Sequence, residues 1–219
     1  MIFFSISARS LLWIIPYTEA LQFHCEESCR ILDMKKRSYW KDPLAWACNS
    51  GMFVFGAVIA ILGGLLPELS RSHDLNPALA GSLFLFLNSG ALLVTLSSGF
   101  LFERIGPKPI LLVCSLLAGV GFLTMAGAAS FEVLALGVCL IGIGGGGQNA
   151  GTSALIASLY PTERAAALNR LGVSFGVGAL SIPVLIGSIL EHFGVAAVLE
   201  VAASLGLLPG LLFLISRFP

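Results

Sequence analysis

The sequence predicts an all-α membrane protein of six transmembrane helices, and three observations predict it. Of the 219 residues, 57% are hydrophobic and only 11% charged, with a mean hydropathy of +0.94. A soluble domain is about 25% charged, so this much apolar surface needs lipid as its solvent. The apolar residues also fall into six continuous runs, each near the ~20 residues that a spanning helix requires. Finally, the basic residues gather on alternate links, the pattern of the positive-inside rule.

The runs are 44–67, 78–102, 109–129, 133–159, 170–190 and 195–216. The first closes on GGLLPEL, and the links PELSRSHDLNP, ERIGPK, ASFE, YPTERAAALN and EHFG are short and rich in helix breakers. Helices are expected over strands because a membrane strand needs only ~9–11 residues of alternating polarity. With the N-terminus inside, one face collects Arg9, Arg30, Lys35, Lys36, Arg37, Lys41, Arg104, Lys108, Arg164, Arg170 and Arg217, and the other only Arg71. Both ends are therefore expected in the cytoplasm, with the chain in the plasma membrane.

Residues 1–43 are read as a cytoplasmic tail, disordered or interfacial, ahead of a bundle over 44–219. MIFFSISARSLLWIIP is too short to span, and it lacks the basic start and small-residue cleavage site of a secretory signal. A start codon placed too early would account for this segment equally well. The stretch HCEESC offers His24, Cys25 and Cys29, fewer than the four ligands of a closed zinc site, so no metal is expected. Cys48, Cys114 and Cys139 lie inside apolar runs, where cysteine acts as a small hydrophobe. The zero net charge argues against a nucleic-acid partner. No paired carboxylates, His pair or Ser/His/Asp set is apparent, so neither enzyme activity nor a cofactor is expected.

The link between the second and third runs reads GFLFERIGPK over residues 99–108. It resembles the signature loop of the major facilitator superfamily, roughly G-x-L-a-D-R-x-G-R-K. Gly99, Leu101, Arg104, Gly106 and Lys108 match, Glu103 keeps the acid in longer form, and Pro107 replaces a basic residue. The stretch GIGGGGQNAGTSALIASLYPTERAAALNRLGVSFGVGALSIPVL is similar to helices four and five of the fucose-permease-like sugar transporters. The resemblance, over residues 50–216, implies one six-helix half of a carrier whose two halves surround a midplane site. It implies that Glu103 faces a helix of a second half and that Arg104 holds helix four. On physical grounds, Gly99 is expected to admit a close backbone, Gly106 to take positive φ, and Pro109 to sit in the first turn of helix three.

Polar groups at membrane depth mark candidate sites. Gln148 and Asn149 follow the glycine run of helix four, where the resemblance implies polar ligands for the solute. An interhelical hydrogen bond is the alternative role. Asn88, central in helix two, is divided between cavity lining and packing. Asn49 and Ser50 read as boundary residues of helix one, and Asn169 with Arg170 as a structural or gating contact opening helix five. Glu200 is the only carboxylate inside a span and a candidate for proton coupling; reaching the outer headgroups is its alternative. The resembling proton-coupled carriers place their carboxylate in helix one or four, and this chain has none there.

The expected function is secondary transport of a small polar solute, a sugar foremost, with the lipid bilayer and either a second six-helix half or a homodimer mate as partners. The rival is a truncated product without transport of its own.

Overall fold

The structure, a computed structural model, describes residues 39–216, apart from the side chains at 185, 188, 189 and 191. A 3-10 turn, Tyr39–Lys41, leads into α1 (Pro43–Ser72), α2 (Pro77–Ile105), α3 (Pro107–Ala126) and α4 (Phe131–Leu159). The helical stretch Arg164–Ile215 then breaks at Gly194, where φ is 77°. Its two spans are α5 (Arg164–Val184) and α6 (His192–Ile215), and all six are long and apolar enough to cross a membrane.

Proline sets three of the starts. Pro43, Pro77 and Pro107 each open a helix, where a missing N–H costs nothing and the ring's fixed φ suits the first turn. Asp42 caps α1 by accepting the Leu44 N–H at 3.0 Å, and Asn76 caps α2 through the Leu79 N–H at 2.8 Å. The third helix starts at Pro107, two residues ahead of the apolar run, and Pro109 lies in its first turn as expected. Gly106 takes φ 85° as expected. Tyr39, ahead of the first apolar run, is buried at 5% exposure.

α4 is the axle of the bundle, and its four consecutive glycines explain how. Successive helical residues are rotated by about 100°, so four of them face every direction. A methyl on Gly144 would fall 2.6 Å from the Ala118 nitrogen of α3, and one on Gly145 3.0 Å from the Phe55 ring of α1. On Gly146 it would lie 2.7 Å from the Ala91 Cα of α2, and on Gly147 it would meet the Cys114 sulfur of α3. Small residues let backbones approach closely where lipid gives no hydrophobic drive for helices to associate. The same device recurs between α4 and α2, where Gly142 lies on the Leu87 carbonyl, and between α1 and α5, where Gly56 and Gly178 face Phe175 and Phe53.

Two apolar clusters fill the interior. One lies toward the Ser72 end of α1 and includes Val58, Leu65, Leu83, Phe122, Leu134, Ile186 and Leu199. The other, toward the Pro43 end, includes Leu44, Met52, Leu111, Ile156, Leu171 and Phe213. Between them lies a layer of buried polar side chains, Ser115, Gln148 and Thr152. α2 and α5 are the least covered helices, with 22% of their most apolar window buried against 50% for α1.

Candidate functional site

The polar layer is built around Gln148, which is 1% exposed. Its Nε2 donates to the Leu111 carbonyl at 3.3 Å and to the Ser115 hydroxyl, tying α4 to α3. Ser115 passes its own proton to the Leu111 carbonyl at 3.0 Å, and Thr152 donates to the Gln148 carbonyl at 2.7 Å. The carboxamide Oε1 is buried without a hydrogen-bond partner. It lies over Gly51 of α1, where a Cβ would stand 2.7 Å away. Gly51 is thus the gap that lets a buried carboxamide sit at a three-helix junction. Of the two roles open to Gln148, the interhelical bond is the one present in this arrangement.

Asn149, the next residue, is half-buried. It lies one helical turn beyond Gly145, on the side of α4 facing Phe55 of α1. The Phe55 ring stacks at 5.5 Å on Phe175 of α5. Asn149 thus shares a helix face with the position that packs on Phe55, and small-molecule sites combine a few such polar groups with aromatic lining. Asn88 is not brought to this place: it is exposed on α2 and donates to the Phe84 carbonyl of its own helix at 2.7 Å. Glu200 is also exposed, one residue beyond the buried Val198 and Leu199. Further along α6, Ala203 and Gly206 pack on Gly119 of α3. The structure does not bring Glu200 to Gln148.

In the 99–108 link, α2 continues through Ile105, so Glu103 and Arg104 form its last turn rather than a loop. The Arg104 guanidinium lies 4.5 Å over the ring of Phe100 in its own helix, not on helix four. Within this bundle nothing lies within 4 Å of where a Gly99 Cβ would be, because that side of α2 turns away from the other five helices. Among the described residues nothing pairs with Glu103. Lys108 does make a long-range contact, its Nζ donating to the Leu214 carbonyl at 3.3 Å and the Ser216 carbonyl at 3.4 Å. Those carbonyls close α6, where a cation suits the negative end of the helix dipole.

A second cluster, at the Pro43 end, was missed as a site in the sequence. Asn49 donates to the Tyr39 hydroxyl and to the Ala45 carbonyl, both at 2.9 Å, and accepts from Ser174 of α5 at 2.7 Å. Tyr160, just past α4, donates to Asp42 Oδ2 at 3.0 Å, and its ring lies 5.2 Å from that of Tyr39. The Arg170 guanidinium stands 4.8 Å over Tyr39. Burial pushes the Tyr39 hydroxyl above its usual value, against the opposing pull of the Asn49 hydrogen bond and the Arg170 charge. Asn49 and Arg170, read separately as boundary and gating residues, belong to one clasp that joins α1, α4 and α5. His24, Cys25 and Cys29, at which no metal is expected, lie outside the described residues.

Comparison with known proteins agrees with this architecture. The model of the Major Facilitator Superfamily matches residues 48–219. A putative metabolite transport protein of Haemophilus influenzae is 32% identical over 162 residues, covering 73% of this chain and 39% of that protein. The human solute carrier family 2, facilitated glucose transporter member 12, is 28% identical over 148 residues, covering 60% of this chain and 24% of its own length. Among solved structures, the peptide transporter POT in complex with alafosfalin superposes with a TM-score of 0.67 at 17% identity. That match spans 77% of this chain and 37% of the transporter. The chain thus spans well under half the length of the proteins it matches. By its family match, its six apolar helices and its glycine-packed fourth helix, the chain belongs to the major facilitator superfamily.

Proposed function

We propose that the chain serves secondary transport of a small polar solute, a sugar foremost, as a six-helix half of a carrier in the plasma membrane with both ends cytoplasmic. The observation that carries the site is Asn149, a half-buried carboxamide one helical turn from Gly145, where α4 packs on the Phe55 ring that pairs with Phe175. An amide that hydrogen-bonds hydroxyls, next to aromatic faces that cover C–H surface, suits a sugar better than a cation or a peptide carboxylate. The similarity to a glucose transporter supports the same class, as does the likeness of helices four and five to the fucose-permease-like branch. Gln148 holds α4 in register behind Asn149.

The test is ligand-dependent thermal stability of the purified chain, since a solute that binds only the folded state raises its midpoint. Hexoses at tens of mM, weak binding being expected of one bundle, should raise the midpoint, and Asn149→Ala should abolish the rise. A dipeptide should leave it unchanged. A rise with the dipeptide and none with any hexose would overturn the sugar assignment.

A further inference from the structure

We propose that the corner formed by Trp40, Lys41, Trp46 and Arg170 binds the headgroups of anionic phospholipids. Trp40 and Trp46 are 63% and 54% exposed, with ring centroids 6.0 Å apart. The Trp46 indole N–H is spent on the Trp40 carbonyl at 3.1 Å, which fixes that ring as an apolar plate. Two exposed indoles immediately before and inside the first turn of a spanning helix belong at the boundary of hydrocarbon and headgroup, where an apolar ring with a polar edge is best solvated.

The charge at this corner is unbalanced. Arg170 is half-buried, its guanidinium lying over the faces of Tyr39 and Trp40 at 4.8 and 5.8 Å. Aromatic faces offset part of its desolvation, but they use none of its five N–H donors. Among the described residues no carboxylate pairs with it. The adjacent carboxylate, Asp42, is engaged by the Leu44 N–H and the Tyr160 hydroxyl. Lys41 is exposed beside it. A planar guanidinium with unfilled donors matches a phosphate oxygen pair. The flanking indoles select a phosphate that is carried at a bilayer surface over one free in water.

The experiment uses the full chain in a Trp13→Phe background, reconstituted in nanodiscs of phosphatidylcholine with or without phosphatidylglycerol. The unfolding midpoint should rise by about 4 °C or more with the anionic lipid, and about 0.5 M salt should remove most of that rise by screening. Lys41→Gln, a substitution at an exposed residue, should keep the phosphatidylcholine midpoint and lose part of the rise. The Lys41→Gln, Arg170→Gln double variant should lose nearly all of it. Emission from Trp40 and Trp46 should be quenched more by a lipid labelled near the headgroup than by one labelled at the chain end. An equal rise in wild type and double variant would overturn the site. So would an equal rise on adding inorganic phosphate to phosphatidylcholine discs, which would assign the corner to a soluble anion.

Discussion

Single residues in this bundle divide by what stands opposite them, and chemical type is a poor guide. Gly99 and Gly142 are both glycines in spanning helices, yet a methyl on Gly142 would strike the Leu87 backbone while one on Gly99 would meet nothing within 4 Å. Gly142→Ala should therefore destabilise the chain by about 1–3 kcal/mol through overpacking, and Gly99→Ala should be nearly neutral. Thermal unfolding of the two variants in the same detergent checks this, and equal midpoints would refute it. Tyr39 supplies a pH test. Burial raises its pKa above the ordinary 10.0, so the folded state holds the phenolic proton more tightly than the unfolded chain does. The resulting stability is fully present below about pH 10 and declines as pH climbs through the raised folded value. Between pH 9 and 11 the wild type should lose more stability than Tyr39→Phe. Neither contrast was legible in the sequence, because a residue string does not say which side of α2 meets α4 or that Tyr39 folds back under α1.

At the scale of elements, the six spans were legible because each is a long apolar run, interrupted inside by a single carboxylate, Glu200. Their ends were less so. α5 begins at Arg164, six residues before its expected start, because the strong helix formers of 164–168, RAAAL, carry the helix ahead of the apolar run. The early start of α3 at Pro107 brings Lys108 into its first turn, within reach of the end of α6. Lys108→Met should lower the unfolding midpoint by a few degrees, as expected for losing ~0.3–1 kcal/mol of charge–helix-end interaction. Lys108→Arg should restore most of it. If Met and Arg variants unfold alike, the contact carries no stability. The pairing of α3 with α4 through Gln148 is likewise invisible in sequence, where Gln148 and Asn149 look equivalent. Only the rotation of α4 separates the residue that staples the helices from the one on the Gly145 side.

For the whole molecule, topology and transport are the open measurements. Cysteines placed at Ser72 and Ser130 should label from outside intact cells, and those at Lys108 and Thr162 only after permeabilisation; external labelling at position 108 would reverse the proposed orientation. In this architecture alternating access comes from two bundles rocking about one cavity. The 219-residue chain alone in liposomes should therefore show no saturable hexose flux above empty vesicles. Saturable flux abolished by Asn149→Ala would instead establish two copies of this chain as a working carrier.

The glycine run of α4 has a consequence for how this chain tolerates change. An ordinary buried helix accepts substitutions with a beat of three or four residues, one side forbidding and the next permitting. Here Gly144, Gly145, Gly146 and Gly147 are hemmed in by α3, α1, α2 and α3 in turn, so the beat should disappear. A saturation-mutagenesis profile of α4 should show an unbroken four-residue gap at 144–147, with no position where natural variation can enter unless another helix shifts with it.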